Sequence, residues 1–290
     1  MLVRRSTLIL PANVPRFVEK AHTRGADAIC LDLEDSVLPR DKAAARDALA
    51  AAVPQAGRGG ADVLVRINRP WELAYRDLDA AVIPGVACIV LPKTEAPEDV
   101  YALDRLIEDR ELARGLTRGS VQLAVKLESA RGLLRADEIA GASPRIATIS
   151  PGTEDFAADL GIEPTADGWE LAYSRARVVV VAAAHRIEPT GLLGRTSDFT
   201  DLDGFRRAAE RARMLGYRGA SCIHPSQVPI LNEVFSPSAQ ALDAAARVVE
   251  QAEAAAGAFE FDGRMADIAT VERARRLLAR AAEIRQRGGA

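Results

Sequence analysis

The chain is poor in the residues from which much enzyme chemistry is built: three histidines and three cysteines in 290 residues, with aromatics at 4%. His22 and His185 fall in helical stretches and only His224 ends a strand-like run, which counts against histidine pairs and Ser-His-Asp triads. Cys30, Cys88 and Cys222 each lie inside an apolar run without a partner at metal-ligand spacing. Buried free thiols and a reducing, cytoplasmic location are therefore expected. The net charge is -3, and no basic block interleaved with aromatics occurs, so nucleic acid is not expected as a partner. No apolar run approaches the roughly 20 residues that span a bilayer. The stretch Leu8-Ile9-Leu10 stops at Pro11, too short for a secretory leader. No glycine follows the first strand-like run, where Pro11-Ala12-Asn13-Val14-Pro15 stands, so the dinucleotide fingerprint is missing.

What the chain does have is a regular series of short apolar runs. They cover residues 6–10, 28–33, 63–67, 87–91, 121–127, 146–149, 187–193 and 219–223, the seventh being the weakest. Helical patterns such as 15–24, 39–52, 97–111 and 169–185 lie between them. Continuous rather than alternating apolar character fits strands covered on both faces of a parallel sheet. Eight such alternations in roughly 230 residues predict an α/β fold, a TIM (β/α)8 barrel. Past the barrel, Ser238 is placed to cap a helix over about 239–256, a turn covers 259–267, and an amphipathic helix follows over 268–287. Two domains are expected, a catalytic barrel over residues 1–235 and a helical extension over 236–290 that packs on a neighbouring subunit.

The runs end on polar or turn residues: Pro11-Ala12-Asn13, Glu34-Asp35, Arg66-Ile67-Asn68, Pro92-Lys93, Glu128-Ser129, Pro151-Gly152-Thr153-Glu154-Asp155 and His224-Pro225-Ser226-Gln227. In a barrel such ends converge on one mouth. Glu128 and Asp155, one strand-helix unit apart, would stand at the same end of adjacent strands. Two carboxylates there suit Mg²⁺, which takes few protein ligands and leaves the rest to water and substrate. The alternative is pairing of both acids with nearby arginines. Arg66 offers a planar fork for a carboxylate, or a salt bridge to Glu34 or Asp35. Lys93 is either a solvated lysine or a phosphate contact, and His224 either faces the mouth or is a structural histidine. Asp267 reads equally well as a helix N-cap ahead of Ile268.

In their order these motifs resemble the citrate lyase β-subunit-like family of the HpcH/HpaI aldolase superfamily, over nearly the whole chain. The stretch from Asp27 through Leu31-Asp32-Leu33-Glu34-Asp35-Ser36-Val37, followed by Lys42 and Ala45-Arg46, is the most distinctive. Phe235-Ser236-Pro237-Ser238 and Asp262-Gly263-Arg264-Met265-Ala266-Asp267 complete the set. The resemblance implies a barrel with a C-terminal helical extension, assembled as homotrimers or hexamers, and a Mg²⁺-dependent lyase. Such enzymes cleave or form 3-hydroxyacyl-CoA esters such as citramalyl-, malyl- or citryl-CoA, with acetyl-CoA and a 2-keto acid as the fragments. It implies metal ligation by Glu128 and Asp155, and a grip on the keto acid by Arg66. Acid/base work falls to Asp267 from a neighbouring subunit, with Glu34 and Asp35 serving the metal's waters or orienting Arg66. Pro92, Lys93 and His224 join Arg66 and Glu128 as substrate-binding candidates. Ala12, Ser129, Thr190 and Ala220 depart from the usual pattern at their positions. Two other readings are an aldolase acting on free hydroxy-keto acids and a non-catalytic keto-acid-binding barrel.

Overall fold

The computed structural model describes residues 2–165, 168–194, 199–254 and 257–288. The chain divides into two compact units, Arg4–Glu233 and Val234–Ala290 with Met1–Val3.

The larger unit is a (β/α)8 barrel. Its strands are β1 (Ser6–Pro11), β2 (Ala28–Asp32), β3 (Asp62–Arg66), β4 (Val86–Leu91), β5 (Gln122–Leu127), β6 (Ile146–Pro151), β7 (Glu188–Pro189) and β8 (Ala220–Cys222). All are parallel to their neighbours, in the order β7-β6-β5-β4-β3-β2-β1-β8. Continuous apolar runs produce the expected double coverage: every residue of β2 is buried. Ile29, Leu31, Ile89 and Leu123 are fully enclosed.

The seventh strand is much shorter than the run over 187–193. Pro189 has no N–H for the ladder, and only two residues are paired as strand. Closure comes instead from two backbone hydrogen bonds at this edge. Arg218 N–H donates to Pro189 O at 3.0 Å, and Gly191 N–H donates to Gly219 O at 2.9 Å.

Between the strands run α1 (Pro15–Ala21), α2 (Lys42–Gly57), α3 (Trp71–Ala81), α4 (Pro97–Ala113), α5 (Ala130–Leu134), α6 (Ala136–Ala140), α7 (Thr153–Leu160), α8 (Ala172–His185) and α9 (Leu202–Leu215), and α10 (Val228–Val234) follows β8. Helix α2 continues past the expected stop at 52 and carries Pro54 inside it. So near the helix end the ring removes one backbone bond without halting the turn. No described helix is long and apolar enough to cross a membrane.

The N-terminal ends of the strands are stitched by ion pairs, the end at which a barrel invests in stability. Arg4 reaches Asp62 at 2.7 Å, Arg5 reaches Asp27 at 2.8 Å, and Arg145 reaches Glu111 at 2.7 Å. Burial opposes ionisation of Glu111, yet Arg145 and the backbone N–H groups of Val121 and Gly119 hold its carboxyl below the ordinary range. A depressed folded-state value gives stability that is present above the ordinary carboxylate range and lost as pH falls through the depressed value. Glu111→Gln should therefore flatten the acid limb of a urea-midpoint-against-pH profile, besides lowering stability at neutral pH.

The smaller unit joins α11 (Ala239–Ala254), a hairpin of β9 (Phe259–Phe261) and β10 (Arg264–Ala266), and α12 (Ile268–Gly288). Ser238 Oγ accepts the Ala241 N–H at 3.2 Å, the expected cap. Residues 255–256 of the expected helix lie outside the described residues. The segment 259–267 is a hairpin rather than a plain turn. Asp262 (φ 49°) and Gly263 (φ 74°) both take positive φ at its tip, the backbone twist that two-residue hairpins require. Ala245, Val248, Val271 and Ala274 form this unit's core, with Phe259 and Phe261 packed on it.

Candidate active site at the C-terminal ends of the barrel strands

The polar residues leaving β2 to β6 form one charge network. Arg66, the last residue of β3, is only 8% exposed. Its Nε donates to Asp32 Oδ1 at 2.6 Å and its Nη2 to Asp32 Oδ2 at 2.8 Å, while Nη1 lies 2.9 Å from Glu34 Oε2. Planar two-point pairing of this kind fixes the guanidinium plane. Asp32 also accepts the Glu34 and Ser36 N–H groups at 3.0 Å. Burial opposes its charge, but Arg66 outweighs burial and holds its carboxyl below the usual range. The expected salt bridge to Glu34 or Asp35 is thus present, yet the main orienting partner is Asp32.

Lys93 follows β4 with φ 48°, a left-handed conformation uncommon for a residue with a side chain. In that conformation its backbone N–H donates to Glu128 Oε2 at 2.8 Å, and its Nζ reaches Glu34 Oε1 at 2.5 Å and Asp35 Oδ1 at 3.3 Å. Lys93 therefore neutralises acids of the site instead of standing free in solvent. Burial and the adjoining Asp35 push the Glu34 carboxyl above its usual range despite Arg66 and Lys93.

Glu128 follows β5 and is 3% exposed. Its other oxygen accepts the Lys126 ammonium at 2.6 Å. Burial disfavours its charge, but Lys126, the Lys93 N–H and Arg66 hold it ionised below the ordinary range. Gly152 makes the room: a Cβ there would lie 2.4 Å from Glu128 Cγ. Asp155 is not at the strand end itself; it sits in the first turn of α7, after Gly152 has turned the chain from β6 into the helix. Burial and the charge of Glu128 raise its carboxyl above the usual range, as expected for two acids facing one site without enough cation between them.

These groups line a cavity of about 520 Å³ that holds Arg66, Lys126, Glu128, Ser150, Gly152, Asp155 and Thr190. A second cavity of about 530 Å³ is lined by Glu34, Lys42, Asn68, Arg69, Trp71 and Lys93. Asp35 borders both.

The sequence profile of the HpcH/HpaI aldolase/citrate lyase family matches residues 5–225. The chain belongs to that family. Among relatives, it is 37% identical to an L-malyl-CoA/beta-methylmalyl-CoA lyase of Cereibacter sphaeroides, over 93% of this chain and 92% of that one. It is 35% identical to citrate lyase subunit beta of Escherichia coli, over 96% and 93%. The Mycobacterium tuberculosis protein CitE in complex with magnesium, acetoacetate and coenzyme A superposes with a TM-score of 0.76 at 31% identity, covering 96% of this chain and 97% of that one.

The remaining candidates of the family pattern are placed less centrally. Pro92 is buried and lines neither cavity; it leads into the left-handed Lys93. His224 also lines neither cavity. Its Nδ1 lies 2.7 Å from Ser226 Oγ, its ring stacks on Phe199 at 5.0 Å, and it caps the turn Pro225–Gln227. Asp267 is exposed on the smaller unit and accepts the Thr270 N–H at 3.0 Å, the N-cap of α12. Lys126 and Ser150 are site residues that the sequence motifs do not assign, and Gly152 enters them only as part of the run Pro151-Gly152-Thr153-Glu154-Asp155. A lysine inside an apolar run was the available signal for the first.

The residues present fit a hard divalent cation. Among the described residues no group of three or more His, Cys, Asp or Glu side chains is arranged to hold a metal. Two oxygen donors suffice for Mg²⁺, which keeps several waters. The raised Asp155 carboxyl and the ammonium resting on Glu128 both mark a place where positive charge is wanted. Gly152→Ala, by displacing Glu128, should weaken divalent-cation binding by about 10- to 100-fold in a calorimetric titration.

Proposed function

We propose that the protein is a Mg²⁺-dependent carbon-carbon lyase that cleaves, or forms by Claisen condensation, a 3-hydroxyacyl-CoA ester, with acetyl-CoA and a 2-keto acid as the fragments. The observation that carries this reading is the Glu128–Asp155 pair beside an arginine whose plane is locked by Asp32. The same family's malyl-CoA lyase and citrate lyase subunit support it, as does the neighbour whose structure holds magnesium and coenzyme A.

Glu128 and Asp155 would hold Mg²⁺, which when bound would supply Lewis-acid polarisation and charge neutralisation for the reacting oxygens. Arg66 spends two of its five N–H donors on Asp32. The Nη1 edge is left for Glu34 and a substrate carboxylate. Glu34 and Asp35 set the position of Arg66 and Lys93, and Asp35, more than half exposed, is the one that meets water. In cleavage the hydroxyl proton passes to water, the carbon-carbon bond breaks, and its electron pair moves to the thioester as an enolate. Asp267 of a neighbouring copy, having taken a proton from water, then gives it to the α-carbon. In condensation Asp267 removes that proton; Thr270 holds its carboxyl below the ordinary range, which keeps it ionised but makes it a weaker base.

Asp267 is flanked by Met265 and Ile268, 77% and 79% exposed. Large apolar side chains so open support the reading that this corner packs on another copy in a homotrimer or hexamer. The buried free thiols fit a cytoplasmic location.

The test is a product assay over malyl-, citramalyl- and citryl-CoA and the matching free acids, with Mg²⁺ and with chelator. Mg²⁺-dependent release of acetyl-CoA from an ester, with no cleavage of the free acids, is the expected result. Cleavage of the free acids at equal rates would replace this reading with a CoA-independent aldolase.

A further inference from the structure

Lys126 lies on β5 two residues before Glu128, which directly follows the strand, and the two side chains meet on one face. Lys126 is thus roughly 6–7 Å deeper in the barrel. It is paired in register with Ser150 of β6. Its side chain is only 20% exposed, and its ammonium bonds Glu128 at 2.6 Å. Arg66, Lys126, Ser150, Thr190 and Ser221 line both the mouth cavity and the small interior cavity beneath it.

The other cations of this wall are matched: Arg66 by Asp32 and Glu34, and Lys93 by Glu34 and Asp35. Among the described residues, Glu128 is the one carboxylate within ion-pair reach of Lys126. A divalent cation held by Glu128 would draw on the charge of that carboxylate and set a like charge beside the ammonium. Ser150, Thr190 and Ser221 then remain at its depth, all neutral hydroxyls that satisfy hydrogen bonds but not charge. A mostly buried ammonium without a counter-charge is costly, so an anion from the substrate is the partner that completes the arrangement. On the functional reading above, the bulky CoA arm stays at the open mouth, which leaves the keto-acid fragment as the end that can reach this depth. What meets Lys126 is the end of that fragment beyond the carboxylate and oxygen held at the metal.

We propose that Lys126 is a specificity-determining residue that binds a second, distal carboxylate of the keto-acid fragment, making the substrate a CoA ester that releases a dicarboxylic 2-keto acid. This rests on the metal and keto-acid reading of the site given above.

Freshly prepared oxaloacetate and pyruvate serve as dicarboxylic and monocarboxylic probes, titrated with Mg²⁺ present into the full-length wild type, Lys126→Met and Lys126→Arg. Losing a hydrogen-bonded charge pair weakens binding by about 10- to 100-fold. Lys126→Met should weaken oxaloacetate by that factor and leave pyruvate within about twofold, while Lys126→Arg keeps part of the preference. Pyruvate bound as tightly as oxaloacetate by the wild type, or equal losses for both probes in Lys126→Met, would overturn the assignment. Titration of Mg²⁺ alone separates the two levels of the account. Lys126→Met should bind it at least as well as the wild type, since a competing cation is gone. A wild type that binds no Mg²⁺ overturns the functional reading itself, whatever the keto-acid preference.

Discussion

Glu128→Gln should lower kcat/KM by on the order of a thousandfold or more, because metal-ion stabilisation of the developing charge is worth several kcal/mol. Glutamine keeps the volume beside Gly152, and its one carbonyl oxygen keeps either the Lys93 N–H or the Lys126 ammonium, while its amide group turns a donor toward the other. The local packing therefore survives and the far-ultraviolet dichroism should not change. What is removed is one negative charge, and with it the cation. Saturating Mg²⁺ should not rescue the variant. Asp155→Asn should act in the same direction but less strongly, since Asp155 is half-buried on the helix while Glu128 is held by three partners. Activity within tenfold of wild type for Glu128→Gln would remove Glu128 from the metal site.

The second large effect is on stability as much as on activity. Asp32→Asn turns a donor toward Arg66 Nη2 and leaves a buried guanidinium with Glu34 as its main counter-charge. Breaking one side of a buried ion pair costs about 3–5 kcal/mol, which should appear as a lowered urea midpoint with an unchanged slope. Replacing the pair together, as Asp32→Leu with Arg66→Met, should recover much of that loss, since a buried pair is often no better than an apolar one. It should not recover turnover, because Arg66 is then gone. The double variant thus separates the structural duty of this pair from its duty toward substrate. Asp35→Asn, at a side chain 53% exposed, should leave stability almost untouched.

Much of this was legible from the sequence because the barrel's physics is periodic. Buried parallel strands must be continuously apolar, and the polar residues that end them must face the mouth; β1 to β6 and β8 lie within the expected runs or a residue or two beyond them. The seventh strand was less legible because Pro189 and Gly191 suit a closing edge without building a ladder. The site was readable where charge ends a run, as at Arg66 and Glu128. It was not readable where charge is buried within one. Asp32 and Lys126 are interior to apolar runs; Asp32 depends on a partner 34 residues away that only the fold brings to it, and the depth of Lys126 in the barrel follows only from its register with Ser150. Asp155 was placed on the correct neighbouring strand unit but one helical turn too early, because Gly152 starts α7 there. The Asp262-Gly263 turn signal was present in the sequence and marks the hairpin.

The most direct test of the account is a calorimetric titration of Mg²⁺ into the wild-type protein and into Glu128→Gln, with acetyl-CoA release from the best CoA ester followed on the same samples. The account predicts one saturable Mg²⁺ site per chain in the wild type, activity that rises with its occupancy, and loss of both in the variant. Acetyl-CoA release that proceeds equally well in chelator, or an undiminished Mg²⁺ site in Glu128→Gln, would contradict it.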